Sequence, residues 1–337
     1  MKNYAVVILN YNGVNFLEKF LPSVLEKSSG ARVVVADNGS SDNSVEMLHR
    51  EFAQRVEIIE FSQNYGFAGG YNNALSRLSE SENPPEYYIL LNSDVDVSEG
   101  WLLPIAEVFD REPLTAAIQP KILSFGRHTH FEYAGASGGF IDAMGYPFCR
   151  GRLINECEED VGQYDDEREI FWASGAALAI RAEAYHLSGG LDALFFAHME
   201  EIDMCWRLRR MGYSIKVVPS SVVFHIGAGT LPVWSPRKTY LNFRNNIAML
   251  YKNLSRWRFS GVYFLRMGTD FLRAFSYLLT AKWKFAGAIF SAHYDFWRMR
   301  KKFDKYSDIP YRKVKQVYQG SIVLYYIFRS KKFKNIL

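Results

Sequence analysis

Two aspartates one residue apart, Asp94 and Asp96, follow an apolar segment within the stretch LLNSDVDV at residues 90–97. Side chains alternate along an extended chain, so these two carboxylates would lie on one side of it. Such a pair either opens a solvated turn or holds a cation, because Mg²⁺ and Mn²⁺ bind one or two carboxylates together with phosphate oxygens. The stretch therefore predicts a turn or a divalent-cation site, and the surrounding elements must decide between them.

Alternating strands and helices would position this pair. Apolar, β-branched runs without alternation indicate strands that are covered on both faces. These runs predict strands at residues 5–9, 32–36, 56–60 and 87–91, and helical spacing predicts helices at 16–27 and 71–78. The order predicts an α/β fold with a mostly parallel sheet flanked by helices, in which ligands bind beyond the carboxyl ends of the strands.

Each of the four predicted strands ends in polar residues. The segments are NYNG at 10–13, DNGSSDNS at 37–44, NYGFAGGYNN at 64–73 and NSDVD at 92–96. One such segment alone could be ordinary turn chemistry or a helix cap, whereas four on one sheet edge indicate a ligand site. The sequence contains neither GxxxxGK[ST] nor GxGxxG, so it does not support a phosphate loop or a dinucleotide fingerprint.

The composition indicates a folded protein kept under reducing conditions. With 337 residues, 48% of them hydrophobic and 23% charged, the chain exceeds one typical domain and can bury a sizeable core. Its three cysteines are scattered, without a CxxC pair, which favours a reducing compartment and no zinc site. The apolar run near the start of the sequence is too short for a signal peptide, so we expect a cytoplasmic protein.

Charge is divided unevenly along the chain. Residues 237–337 contain 22 Lys and Arg against 4 Asp and Glu, and 24 of the 53 aromatic residues. No apolar run there reaches the roughly 18 residues that a membrane span needs. Basic helices with aromatic residues suit an anionic membrane surface. A nucleic-acid surface has a similar charge, and a solvated helical bundle explains the charge but not the aromatic enrichment.

Six segments carry motifs in an order that is typical of one enzyme family. They are VVILNYNG, VVVADNGSSDNS, NYGFAGGYNNA, LLNSDVDV, WASGAALAIRAEAYHLSGGLDALFFAHMEEIDMCWRLRRMGY and VVFHIGAG. Over roughly residues 4–250 they resemble glycosyltransferase family 2, and within it bacterial rhamnosyltransferase-like enzymes of polysaccharide assembly. The resemblance implies a GT-A fold, an inverting mechanism, a nucleotide-diphosphate sugar donor and a divalent cation, Mg²⁺ or Mn²⁺.

The resemblance also implies a metal site. Its motif fits best as Asn92–Asp94, which makes Asp94 the principal ligand and Asp96 a second ligand or a support. In a second, literal register, the two acids of the motif align directly with Asp94 and Asp96, and both aspartates are ligands. His225 matches a position that completes the metal site in relatives, and a neutral imidazole suits Mn²⁺ better than Mg²⁺. A lone histidine is nevertheless more often structural.

Donor-binding residues follow from the same resemblance. Asp37 matches the acid that hydrogen-bonds the nucleoside base or ribose, a role compatible with an Asx turn at this position. The expected nucleotide-sugar-binding residues are Asn10, Asp37, Asn64, Gly69, Gly70, Asn72, Asn92, Asp94 and Gly175.

The general base is expected in the segment Met199–Asp203, which matches a Glu-Asp-x-Asp motif at a helix start. The second acid of that motif is the usual base, and here it is Glu201, one methylene longer than Asp. Glu200 and Asp203 complete the expected catalytic group, although acids also simply favour a helix N-terminus. A glutamate with an ordinary pKa of about 4.3 is ionised at neutral pH, so placement would be the main requirement.

The acceptor side of the site is expected between residues 125 and 168, as a loop or hairpin. There Arg150 and Arg152 would either meet a diphosphate of the acceptor or be solvated.

We therefore predict a catalytic domain at 1–236, with a nucleotide-sugar half at about 1–123 and an acceptor half at about 124–236. A basic, aromatic-rich helical region follows at 237–337. The predicted activity is transfer of a sugar to a saccharide or lipid-linked saccharide acceptor at the inner face of the cytoplasmic membrane. An anionic membrane surface is an expected partner, a homo-oligomer is compatible, and no nucleic acid is expected. The alternatives are a non-catalytic sugar-nucleotide-binding scaffold, since Glu201 replaces the usual Asp, and a nucleotidyltransferase, which the absent phosphate loop disfavours.

Overall fold

The computed structural model describes residues 3–227, 235–306, 316–333 and 336. Strands in these residues are β1 (Tyr4–Asn10), β2 (Arg32–Asp37), β3 (Glu57–Glu60), β4 (Tyr87–Asn92), β5 (Val95–Val97), β6 (Thr115–Ser124), β7 (Arg127–Phe131), β8 (Gly139–Asp142), β9 (Pro147–Cys149), β10 (Arg152–Leu153), β11 (Glu156–Cys157), β12 (Arg168–Glu169), β13 (Ala177–Arg181), β14 (Ser214–His225) and β15 (Val317–Tyr318). The α-helices are α1 (Val14–Lys27), α2 (Ser44–Met47), α3 (Gly66–Ser79), α4 (Leu102–Arg111), α5 (Ala182–Leu187), α6 (Glu200–Arg210), α7 (Pro236–Asn253), α8 (Arg256–Leu279), α9 (Trp283–Met299) and α10 (Ile322–Phe328). Shorter turns are a π-helical turn at Leu48–Phe52 and 3₁₀ turns at Ala193–Phe195 and Arg300–Lys302.

The main sheet has the strand order β12-β14-β6-β13-β4-β1-β2-β3, with β5 paired to β14 and β7 paired to β6. Strands β1 to β4 are parallel, as the βαβ order predicts, whereas β13 runs antiparallel between β4 and β6. The second half of the sheet is therefore mixed, since an antiparallel neighbour needs no crossover helix. The carboxyl ends of β1, β2, β4, β6 and β14 consequently share one sheet edge with the start of β13.

Both faces of the first strands are buried, which explains their unbroken apolar sequence. Along β1, Ala5 and Val7 pack in the core beneath α3, while Val6 and Ile8 pack in a second core with α1 and α4. Successive side chains of a strand point to opposite faces, so two covered faces require apolar residues at every position.

A second, small sheet with the order β11-β10-β9-β8-β15 is formed by strands within residues 139–157 together with β15. Its strands are too short for their alternation to be visible in the sequence. The two arginines are not solvated, because both are buried: Arg150 donates to the Ser137 and Tyr164 carbonyls, and the Arg152 guanidinium lies 4.6 Å above the Tyr133 ring. Their contact with a diphosphate of the acceptor stays a prediction.

The C-terminal helices pack against the part of the chain that precedes them. Helix α7 contacts α6, and α8 and α9 form a hairpin beside α7. Among the described residues, no helix combines the length and hydropathy that crossing a bilayer requires. The last two residues of the VVFHIGAG motif, Ala228 and Gly229, lie outside the described residues.

Candidate active site

The ends of β1 and β2 are joined through their polar side chains. Asn10 pairs with Asp37 in the sheet register, and its Nδ2 donates to Asp37 Oδ2 over 2.9 Å. The Ser40 amide donates to Asp37 Oδ1 over 2.8 Å, so both carboxylate oxygens are already engaged. Asp37 therefore forms the expected turn and lies at the expected sheet edge. Its contact with a nucleoside stays a prediction.

Packing accounts for several of the expected donor-binding residues at the start of α3. A Cβ on Gly70 would lie 2.7 Å from Leu9, and one on Gly175 would lie 2.9 Å from the Phe67 ring. The amide of Asn72 bonds to both backbone groups of Leu191. These contacts fix the helix against its neighbours.

The two other candidates at this helix start lie beside the second strand end. The Asn64 side chain accepts from Asn38 Nδ2 over 3.1 Å and from the Gly66 amide over 2.7 Å. A Cβ on Gly69 would lie 3.0 Å from the Tyr65 Cβ, so this glycine permits a close turn. Both are placed at the expected edge, and their contact with a donor remains to be tested.

Asp94 meets His225 at the carboxyl edge of the sheet. The chain turns at Ser93 and Asp94 between β4 and β5, and His225 closes β14. His225 Nε2 lies 3.1 Å from Asp94 Oδ1, and the Asn92 side chain lies 3.5 Å from the same nitrogen. Residues 92, 94 and 225, which are far apart in sequence, are thus brought together.

Asp96 is positioned differently from Asp94. It lies on β5, where its carboxylate accepts from Ser23 Oγ over 2.6 Å and lies 3.5 Å from the Lys27 ammonium, both on α1. The alternation that we assumed for the two aspartates fails, because the turn at residues 93–94 interrupts the extended chain. The contacts of Asp96 favour a supporting role over the literal register in which both aspartates are ligands.

Glu132, which the sequence did not single out, completes a buried row of acid, histidine and acid. Its Oε2 lies 3.1 Å from His225 Nδ1, on the side of the ring opposite Asp94. Burial would lower the pKa of His225, but without a cation the two carboxylates outweigh burial and raise this pKa to about 10, so a cation bound at Nε2 would displace a proton. Glu132 therefore fixes the direction of the imidazole, as outer carboxylates do for metal-binding histidines.

The pair Asp94 and His225 suits a cation that would also be bound by a substrate. Adjacent ligands at about 2.1 Å from an octahedral ion lie roughly 3 Å apart, close to the separation of Asp94 Oδ1 and His225 Nε2. In the described part of the chain, no group of three Asp, Glu, His or Cys side chains is arranged so that it could hold a metal ion on its own. Asp94 and His225 would therefore fit a divalent cation that takes its remaining ligands from substrate and water.

The expected base lies after a strained loop. Phe196, His198 and Met199 all have positive φ, between 66° and 75°, which non-glycine residues rarely adopt and which clusters at functional sites. Two residues of α7 hold this loop. Arg244 donates to the Leu194 and Phe195 carbonyls, and Asn245 donates to the carbonyls of residues 195, 197 and 198. The Arg-Asn pair of the C-terminal region thus positions the start of α6.

Glu200 and Glu201 begin α6 with carboxyl groups that are not fully hydrogen-bonded. In the described structure, Oε2 of each has no hydrogen-bond partner and is shielded from solvent. Burial raises the pKa of Glu201 to about 7. Burial and the neighbouring Glu201 charge raise the pKa of Glu200 well above its usual value. Our expectation of an ordinary pKa is therefore wrong for Glu201, and burial together with mutual repulsion disfavours ionisation of both carboxyl groups at once.

Asp203, the third acid, is enclosed in a network of cations. Its carboxylate accepts from Lys252 Nζ over 2.8 Å, from Arg207 Nε over 3.0 Å and from Asn253 Nδ2 over 2.7 Å. Burial would raise the pKa of Asp203, but Arg207 and Lys252 outweigh burial and hold this pKa below its usual value. A fully buried, fully bonded carboxylate suits the joining of α6 to α7 better than proton transfer.

Lys252→Met should lower the free energy of unfolding by about 3–5 kcal/mol, because it leaves Asp203 and Asp192 without their shared buried cation. Lys301→Met, at an exposed position after α9, is the matched control and should change it by less than about 0.5 kcal/mol. Urea denaturation followed by circular dichroism measures both. Equal stability of the two variants would show that the network does not stabilise the fold.

Two further side chains, Cys149 and Lys238, have pKa values that the carboxylates of the site influence. Burial raises the pKa of the Cys149 thiol, and the Glu132 and Glu201 carboxylates both add to the rise, so both act on this one thiol. Burial lowers the pKa of Lys238, which Glu132 opposes, and the charge of Lys238 in turn depresses the pKa of His198. The loop before α6 also contacts the start of α3 at the sheet edge, where the Phe67 amide donates to the Phe196 carbonyl over 2.7 Å.

Comparison with known proteins agrees with this arrangement. Residues 5–169 match the family model described as glycosyl transferase family 2. An N-acetylglucosaminyl-diphospho-decaprenol L-rhamnosyltransferase of Mycobacterium tuberculosis is 26% identical over 230 residues, which are 65% of this chain and 75% of that enzyme.

Solved structures share the fold at low sequence identity. GalNAc-T7, crystallised with UDP, GalNAc and Mn²⁺, has a TM-score of 0.59 at 14% identity over 77% of this chain, which spans about half, 49%, of that protein. A Pyrobaculum calidifontis mannosyltransferase in complex with GDP-Man and Mn²⁺ has a TM-score of 0.52 at 15% identity, over 87% of this chain and 75% of that one. These likenesses confirm the expected GT-A fold.

Proposed function

We propose that this chain, whose residues 5–169 match the glycosyl transferase family 2 model, transfers a sugar from a nucleoside-diphosphate donor to a lipid-linked saccharide with inversion at the anomeric carbon. One observation carries this proposal. A buried glutamate with a partnerless oxygen, Glu201, follows a loop whose Phe196 carbonyl accepts from the Phe67 amide at the start of α3, and the same sheet edge holds a carboxylate–histidine pair, Asp94 and His225, that fits a shared cation.

Glu201 acts as the general base. Its partnerless oxygen takes the proton of the acceptor hydroxyl while that hydroxyl attacks the anomeric carbon on the face opposite the diphosphate. Burial and the neighbouring charge of Glu201 favour the neutral form of Glu200, which limits the negative charge beside the base. Arg244 and Asn245 hold the loop before α6 and so fix the direction from which Glu201 reaches the acceptor.

Asp94 and His225 would hold the divalent cation, which when bound neutralises the charge that develops on the leaving diphosphate. Glu132 orients His225 for this role. The sheet edge with Asn10 and Asp37 receives the nucleoside, as the position of these residues after β1 and β2 favours.

We also propose a lipid-linked acceptor and a place at the inner face of the cytoplasmic membrane, in cell-surface polysaccharide assembly. Similarity to the mycobacterial N-acetylglucosaminyl-diphospho-decaprenol L-rhamnosyltransferase supports this acceptor class. The excess of basic and aromatic residues in 237–337 supports the location.

Product analysis tests the reaction class. We expect a panel of UDP-, GDP- and dTDP-sugars to identify one donor from which the enzyme releases nucleoside diphosphate. Release of pyrophosphate instead would indicate a nucleotidyltransferase. Binding without any release, with acceptor present, would indicate a scaffold.

The pH dependence of turnover follows from the raised pKa of Glu201. Because the base must be ionised, turnover with saturating donor should fall about tenfold for each pH unit below 7 and level off above it. Initial rates between pH 5.5 and 9 measure this. Glu183→Gln, an exposed first-turn glutamate of α5, is the control and should keep the wild-type profile. A profile that stays flat down to pH 5.5 would contradict a base with this pKa.

A further inference from the structure

Helix α8 has its apolar side turned to solvent. Trp257 is 85% exposed, Phe264 77%, Leu272 70% and Leu279 73%, and they lie whole turns apart along the helix. With Leu265 and Phe275 they form a stripe that runs the length of the 24-residue helix, about 36 Å. We call this stripe and its continuation on α9 the apolar face.

The opposite side of α8 is polar and buried. Arg266 and Asp270 are both 2% exposed and form an ion pair over 3.3 Å. Arg266 also donates to Asn246 of α7, and His293 of α9 lies 3.3 Å from Asp270. An amphipathic helix of a protein surrounded by water has the reverse arrangement, with charges outside and apolar residues inside.

Helix α9 continues the apolar face. Trp283, Phe290, Tyr294 and Trp297 are exposed and again lie about one or two turns apart. Phe290 stacks on Phe271 of α8 over 5.5 Å, so the two stripes adjoin. The exposed apolar area is thus contiguous, which marks an interaction surface.

Charge identifies the occupant. Residues 256–306 contain eleven Lys and Arg against three Asp, and of these acids Asp270 is buried and Asp295 is bonded to Tyr240. Exposed basic side chains such as Arg273, Lys284 and Arg298 border the apolar face. A second copy of the chain would bring the same positive charge against it, whereas an anionic bilayer complements it.

We propose that the apolar face of α8 and α9 lies flat in the headgroup region of an anionic membrane. The aromatic and aliphatic side chains enter the acyl boundary, and the bordering cations meet lipid phosphates. The helices lie on the bilayer and do not cross it, since their other sides carry the buried ion pair and pack on α7. This inference rests on the proposed function for its purpose, which is to bring the catalytic site to a lipid-linked acceptor.

Flotation with lipid vesicles tests the proposal on the full chain. The protein should bind vesicles of phosphatidylglycerol and phosphatidylcholine at least about tenfold more strongly than vesicles of phosphatidylcholine alone. The triple variant Trp257→Ser, Phe264→Ser and Leu272→Ser should bind the anionic vesicles about tenfold less. Its matched control, Leu103→Ser, Leu114→Ser and Leu187→Ser, removes side chains of similar exposure elsewhere and should bind like the wild type.

Release of nucleoside diphosphate to water in the absence of lipid should be equal in both triple variants, which shows that each is folded. Vesicle binding that the first triple variant retains would overturn the proposal. So would a wild-type protein that ignores vesicles but dimerises through this face by light scattering, or one that binds RNA instead. Vesicle binding without any donor turnover would leave the membrane surface standing and remove the proposed function.

Discussion

Glu201→Gln should lower the turnover number by about 10²–10⁴-fold while the dissociation constant of the nucleotide-sugar donor stays within about twofold. The amide keeps the shape of the side chain and removes its basicity. Nothing else in the described structure bonds to Glu201 Oε2, so the loss would come from proton transfer and not from a broken contact. Steady-state rates and calorimetric donor titration measure the two quantities.

Glu200→Gln is the matched control for this prediction. Burial and the charge of Glu201 raise the pKa of the Glu200 carboxyl group, which favours its neutral form. An amide in place of a neutral acid should therefore reduce turnover far less. Near-normal turnover in Glu201→Gln together with a large loss in Glu200→Gln would move the base to Glu200.

Asp203→Asn separates catalysis from stability within the same acidic segment. It should lower the unfolding midpoint, because Lys252 and Arg207 lose their buried counter-charge. Where the variant remains folded, we expect turnover to stay closer to wild type than in Glu201→Gln. A folded variant without turnover would place Asp203 in the chemistry instead.

The strands and the edge of the sheet were predictable because burial on both faces leaves a direct trace in the sequence. At Val6 and Val7 each side chain enters a different core, so the run cannot alternate. The polar residues after these runs marked the site edge for the same reason, since only the strand ends escape the two cores. Burial along one strand can thus be inferred from the residues of that strand alone. The functional roles of the site residues came from the resemblance to a family.

Residues that act through distant contacts could not be predicted in this way. Lys252 is 49 positions from Asp203, and no local pattern shows that the two meet. The raised pKa of Glu201 likewise depends on burial that only the folded chain creates. Glu132 follows a short, exposed strand, and its sole signal was an isolated acid before the apolar small sheet.

The misplaced pair of aspartates shows where a periodic rule ends. The two-residue repeat holds within one strand, but β4 and β5 are separate strands with a turn between them. Asp94 lies in that turn and meets His225, whereas Asp96 lies on β5 and meets α1. The same five residues thus contain one candidate metal ligand and one side chain that fastens a helix.

Asp94→Ala should abolish transfer and weaken binding of nucleoside diphosphate by about tenfold or more, because an uncompensated diphosphate would face the remaining carboxylate of the cluster, Glu132. Chelation with EDTA should have the same effect on the wild type. Asp96→Asn is the matched control: it keeps the bond to Ser23 and should leave binding unchanged.

Direct Mn²⁺ binding, measured by electron paramagnetic resonance without substrate turnover, distinguishes a lost ligand from a damaged fold. Asp94→Ala should lose the bound Mn²⁺ signal, Asp96→Asn should retain it, and Glu132→Gln should weaken it because His225 is no longer held from behind. Full activity in excess EDTA would contradict the assignment of Asp94 and His225 to a cation. The leaving diphosphate would then need protein cations for charge compensation.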